Sequence, residues 1–179
     1  VPINKKEKYP KTDDVKVHVA QNFNDFDRLL FYSKQRKILD SLKNGIDLSK
    51  IDIIHAHTVF SGGFAALKIK KEYGIPYVVA VRNTDINYFF KYMIHLRKVG
   101  EEVLSNADKV YFISPAYKRQ LLDSVVSKKT SGIIKNKCSV IPNGIARIFL
   151  NNKEYKTKPL NRIIKIIYAG NVTKNKNKE

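Results

Sequence analysis

Tryptophan is absent, and cysteine and methionine occur once each, as Cys138 and Met93. A single cysteine excludes an intrachain disulfide and a thiolate metal cluster, and fits a reducing compartment. No apolar run approaches the roughly 20 residues that a membrane-spanning helix needs, and no stretch reads as a signal peptide. The expected location is therefore cytoplasmic. Acidic residues are scarce: 16 against 34 lysines and arginines, for a net charge of +18. The last 29 residues hold only 8 of those basic residues, so the body of the chain is basic as well. Such a field favours phosphate-rich or otherwise anionic partners.

What is present is enough for one ordinary domain with a core. The chain has 179 residues, 43% of them hydrophobic, which excludes a disordered tail-like protein. Residues 1–14 read as a polar lead-in. Residues 15–20 (VKVHVA) alternate as a strand does, with His18 on the polar side as a surface residue. Asn24 and Asp25 are fit to cap a helix that runs through Phe26, Leu29, Leu30, Ile38, Leu39 and Leu42 and stops near Gly45.

The chain is organised around residues 51–85, IDIIHAHTVFSGGFAALKIKKEYGIPYVVAVRNTD. Two apolar runs, 51–57 and 77–82, flank a helical pattern over 61–73 that ends at Gly74. Residues 86–105 then read as mostly helical. They begin with an aromatic cluster (Tyr88, Phe89, Phe90, Tyr92, Met93), read as core with an exposed apolar patch as the alternative. A strand over 108–114 leads into a helix from Pro115 to about Val126. A polar, glycine-containing stretch precedes a strand over 137–141, and Pro142-Asn143-Gly144 is a turn by composition. Residues 151–161 read as a linker and 162–169 as one more strand. Strands alternating with helices at this spacing predict an α/β, Rossmann-like, mainly parallel sheet flanked by helices.

In such sheets ligands bind at the carboxyl ends of the strands, so the polar residues there are the candidates. His55 and His57 lie two apart and share a side of their strand. No third ligand accompanies them, so no metal site is expected. Arg82, Asn83 and Asp85 form the densest polar group. Arginine can clamp a phosphate or carboxylate with two parallel bonds, and Asp85 can orient Arg82, accept from a sugar hydroxyl, or cap the next helix. Ser61-Gly62-Gly63 opens a helix, where free N–H groups can hold an anion; a close helix–strand approach explains the glycines equally well. Residues 170–177 (GNVTKNKN) follow a strand and suit a diphosphate, or form a solubilising terminus.

Four stretches in this order resemble glycosyltransferase family 4: residues 51–85, ADKVYFIS, VIPNGI and IIYAGNVTKNKN. The resemblance implies a GT-B fold, two Rossmann-like domains facing across a cleft. It implies transfer of a sugar from a nucleotide-sugar donor to a glycan or lipid-linked acceptor, with retention of configuration and no metal or other cofactor. It also implies the division of the chain. Residues 1–150 would be a partial acceptor-side domain, 151–161 the linker, and 162–179 the first strand and turn of the donor-side domain. The chain would then be a piece of a longer protein, inactive by itself. His57, Arg82, Asn83 and Asp85 would contact substrate, and Asn171 and Lys176 the donor diphosphate. Where many members place a histidine near the reacting sugar, this sequence has Arg82. Where they place an arginine after the glycine of the donor turn, it has Asn171. Asn143 and Gly144 match the turn before the interdomain linker.

Two other readings fit the charge. A nucleic-acid-binding module lacks every helix-turn-helix, zinc or RNA-recognition signature, so no specific nucleic acid is expected. A peripheral protein on an anionic membrane surface would use the basic body and the Tyr88–Met93 aromatics, and is compatible with a lipid-linked acceptor.

Overall fold

The computed structural model describes residues 30–145 and 147–150. The strand over 15–20 with His18, the helix start at Asn24 and Asp25, the linker, and residues 162–177 with Asn171 and Lys176 lie outside the described residues.

Four parallel strands form one sheet in the order β1 (Ile54–Ala56), β2 (Tyr77–Val81), β3 (Lys109–Phe112), β4 (Cys138–Val140). Ile54 pairs with Tyr77, Val79 with Val110, and Val110 with Cys138. Parallel neighbours need long crossovers, and each is helical. Between β1 and β2 a wide π-helical turn, Val59–Gly63, runs into α2 (Phe64–Tyr73). Gly74 ends α2 in the left-handed region (φ 74°), with its N–H on the Lys70 carbonyl, the conformation that glycine adopts without steric cost. Between β2 and β3 come the π-helical turn Asp85–Phe90, a short 3₁₀ turn and α3 (Arg97–Asn106). Between β3 and β4 come α4 (Pro115–Gln120), capped by the Ser114 hydroxyl with Pro115 in its first turn, and α5 (Lys128–Lys135). Ahead of them all stands α1 (Phe31–Gly45).

The period-two alternation of the strands decides what is buried. Ala56, Tyr77, Val79, Val81, Val110 and Phe112 face a core shared with Phe60, Leu67, Phe90, Leu104 and Ile134. α1 packs on α2, α2 on α3 and α3 on α5, so these helices lie side by side. Of the residues between, Ala80 is buried, while His55, Lys109, Tyr111 and Ser139 are exposed or half-buried.

Two expectations need correction, for β1 and for the stretch before β4, and two hold with a detail added. β1 is three residues long rather than seven, because pairing with β2 covers only 54–56. The 86–105 helix is broken at Met93 (φ −96°, ψ 67°). The stretch read as a polar connector is the helix α5, whose cap is Ser127 accepting from the Thr130 N–H and whose Ile134 is buried. Gly45 closes α1 from within; the residue that leaves the helix is Ile46, in extended conformation. The chain divides at Asn143/Gly144. Among the described residues the second unit holds Gly144, Ile145 and the short helix α6 (Arg147–Leu150).

Candidate functional site

All four strands run the same way, so their carboxyl ends share one edge. His57 follows β1, Arg82 follows β2, Ser114 lies two residues past β3, and Asn143 three past β4. Alternation sends Arg82 out on the side opposite to buried Val81, the side that also carries His55 and His57.

Arg82 ties this edge together. Its Nε donates to the His57 carbonyl (3.3 Å), its Nη2 meets His57 Nδ1 (3.3 Å), and its Nη1 donates to Asn143 Oδ1 (3.0 Å). A guanidinium cannot accept, so Nδ1 is the acceptor and the imidazole proton sits on Nε2. Among the described residues three of the five guanidinium N–H groups are thereby engaged, and one on each terminal nitrogen has no partner there. The side chain is half-buried and held from two neighbours, so a ligand would meet a cation already in place. His57 stacks on His55 with ring centroids 4.5 Å apart, and Tyr111 meets His55 edge-on. Partial desolvation, then His57 and Arg82, hold His55 below the ordinary histidine range, which keeps a further positive charge off this edge near neutral pH.

Asp85 is turned inward and is 1% exposed. One carboxylate oxygen accepts from the Val59 and Phe60 N–H groups (3.1 and 3.4 Å), and the other from the Arg82 N–H (2.9 Å). Burial pushes this carboxyl up, against the pull of those three backbone bonds. The expectation that Asp85 accepts from a sugar hydroxyl gives way to a bracing role, because its oxygens face backbone rather than solvent. The same contacts revise the anion-binding reading of Ser61-Gly62-Gly63. Gly62 N–H goes to the Thr58 hydroxyl and Gly63 N–H to the Thr58 carbonyl, so the protein itself engages the donors an external anion would need. Gly63 serves packing: a Cβ there would lie 2.8 Å from Val103 Cγ1 and 2.9 Å from the Thr58 carbonyl.

Asn83 is exposed at the edge, and its carbonyl oxygen accepts from the Asn87 amide, whose own oxygen accepts from Gln120 (3.2 Å). Sequence reasoning missed Asn87, Gln120 and the tie from Arg82 to Asn143. Asn87 stands four residues after Asn83, the spacing at which side chains of a helical segment meet; the two contacts between distant segments had no local signal. Among the described residues no group of three or more histidine, cysteine or carboxylate side chains could hold a metal ion, and no helix is long and apolar enough to cross a membrane.

The model of Glycosyltransferase Family 4 matches residues 4–147. The chain belongs to glycosyltransferase family 4. It is 28% identical over 120 residues to an uncharacterized glycosyltransferase of Methanocaldococcus jannaschii. The match covers 62% of this chain and 29% of that protein, so the chain spans well under half the length of its relative. No solved structure matches it. Family membership agrees with the parallel Rossmann-like sheet.

Proposed function

We propose that the protein is a glycosyltransferase that moves a sugar from a nucleotide-sugar donor to a hydroxyl of a glycan or lipid-linked acceptor, with retention and without a metal. These residues would form its acceptor-side wall. The observation that carries the reading is Arg82, held at the strand edge of a family 4 chain with two guanidinium N–H groups that meet no partner among the described residues.

When a glycosidic bond to a diphosphate breaks, negative charge grows on the departing oxygens, and fixed donors lower the barrier most when they need not reorganise. Arg82 supplies such donors in the place where many relatives carry a histidine. His57, with Nε2–H outward, and Asn83 would orient sugar or acceptor hydroxyls. Asp85 would act through Arg82 by fixing the backbone from which that side chain springs. Asn171 and Lys176, outside the described residues, would contact the donor diphosphate as the family resemblance implies. The net charge of +18 would draw in the anionic donor and, for a lipid-linked acceptor, an anionic membrane surface at the inner face of the cytoplasmic membrane.

The test is transfer by the complete protein, screened over nucleotide-sugar donors and followed by proton NMR of the new anomeric centre. The expected product keeps the donor's configuration, and EDTA leaves the rate unchanged. An inverted product, or loss of activity with EDTA, would overturn those parts of the proposal.

A further inference from the structure

Asn143 reaches the strand edge from β4, and the function proposed above gives it no part. Its backbone is well placed. The sheet ladder extends one residue past β4, with the Ile141 N–H on the Phe112 carbonyl (2.8 Å), and Pro142, which follows, has a restricted φ. The side chain then finds a partner two strands away. β3 lies between β2 and β4, and two strand spacings amount to about 9–10 Å. Arg82 and Asn143 close that distance together, Nη1 donating to Oδ1 at 3.0 Å. A guanidinium only donates, so the carboxamide must turn its oxygen to Arg82. His57 takes the other side of the plane, with its carbonyl on Nε and its Nδ1 on Nη2. Without Asn143 the guanidinium would be held by one residue alone. Asn143 Oδ1 is also the one side-chain acceptor of the set that no protonation removes, since His57 Nδ1 stops accepting once it takes a proton.

We propose that Asn143 is a positioning residue for Arg82: its carboxamide oxygen fixes the guanidinium plane, so that the two N–H groups without a partner among the described residues are presented together to the phosphate oxygens of the donor. This deepens the function proposed above and rests on the role given there to Arg82. Asn143 acts through Arg82 and not on the substrate. An arginine side chain is long and rotamer-rich. One held in a single orientation before the anion arrives loses less freedom on binding than one that must be ordered by it.

The test uses the complete protein and inorganic pyrophosphate as the probe, standing for the donor's diphosphate, with affinity read by isothermal titration calorimetry and the Arg82 Nε–H followed by proton–nitrogen NMR. That signal is the one missing from Arg82→Lys. Asn143 is exposed, so Asn143→Ala is expected to fold. It should move the Arg82 signal before any probe is added and weaken pyrophosphate about three- to tenfold, the size of one hydrogen bond. Asn143→Asp, which keeps an oxygen opposite Nη1, should leave the signal near its wild-type place. In an Arg82→Ala background, Asn143→Ala should cost nothing further, because residues that act as a unit are not additive. A merely structural turn predicts an unmoved Arg82 signal and the same penalty with or without Arg82, and either result would overturn the proposal. If Arg82→Ala weakens pyrophosphate and Asn143→Ala does not, the positioning role falls and Arg82 keeps its place in transfer. If Arg82→Ala leaves pyrophosphate binding unchanged, both fall.

Discussion

Two residues three positions apart divide the work at the strand edge. Arg82 faces outward with its guanidinium held by His57 and Asn143; Asp85 faces inward with three backbone N–H groups on its carboxylate. An asparagine at 85 would keep the shape and lose one acceptor, turning an amide N–H toward the backbone N–H groups of Arg82 or of Val59 and Phe60. Asp85→Asn is expected to destabilise the fold by about 1–3 kcal/mol, read as a lower urea midpoint with an unchanged slope. An unchanged midpoint would mean that the carboxylate braces nothing. The sequence made His57, Arg82, Asn83 and Asp85 visible as candidates, since strand alternation and the strand-end rule are local and need no coordinates. It left Asp85 divided among a ligand contact, an orienting group and a cap. The bond that decides, to the amides of Val59 and Phe60, joins residues about 25 apart in sequence.

The elements were legible where their signals were local. Gly74 after one helix and Pro115 at the start of another fell where read, because a left-handed residue and the fixed φ of a proline act within one turn. α5 was missed because Gly132, Thr130 and three lysines outweigh two isoleucines in any local pattern. Its stability comes from elsewhere: Glu101 on α3 accepts from the Ser127 N–H and from both hydroxyls of Ser127 and Thr130, and Ile134 enters the core. The α3 crossover is equally tertiary. Gly100 lies against two aromatic rings, and a Cβ there would sit 2.6 Å from the ring tips of both Phe60 and Phe90. Gly100→Ala, a gain in helix propensity, should therefore cost stability, about 1–3 kcal/mol from overpacking, seen as a lower melting temperature. A stabilised variant would show that these rings yield freely.

For the whole molecule, the sheet order, parallel pairing and family membership agree, and together they make an α/β half that presents one polar edge. The far side of the sheet, with His55 and Tyr111, is exposed or half-buried except at Ala80 among the described residues. The charge of +18 is a property of the whole chain, and it assigns no residue a role.

The central claim is that Arg82 takes part in sugar transfer. The direct measurement is steady-state kinetics of the complete protein and its Arg82→Ala and Arg82→Lys variants, with folding checked by thermal melting. Loss of one preorganised donor to a developing anion costs about 10²–10³-fold in kcat. A fall of that order is expected for alanine and only partial rescue by lysine, which cannot span His57 and Asn143 together, at unchanged melting temperature. Full activity of folded Arg82→Ala on both donor and acceptor would contradict it.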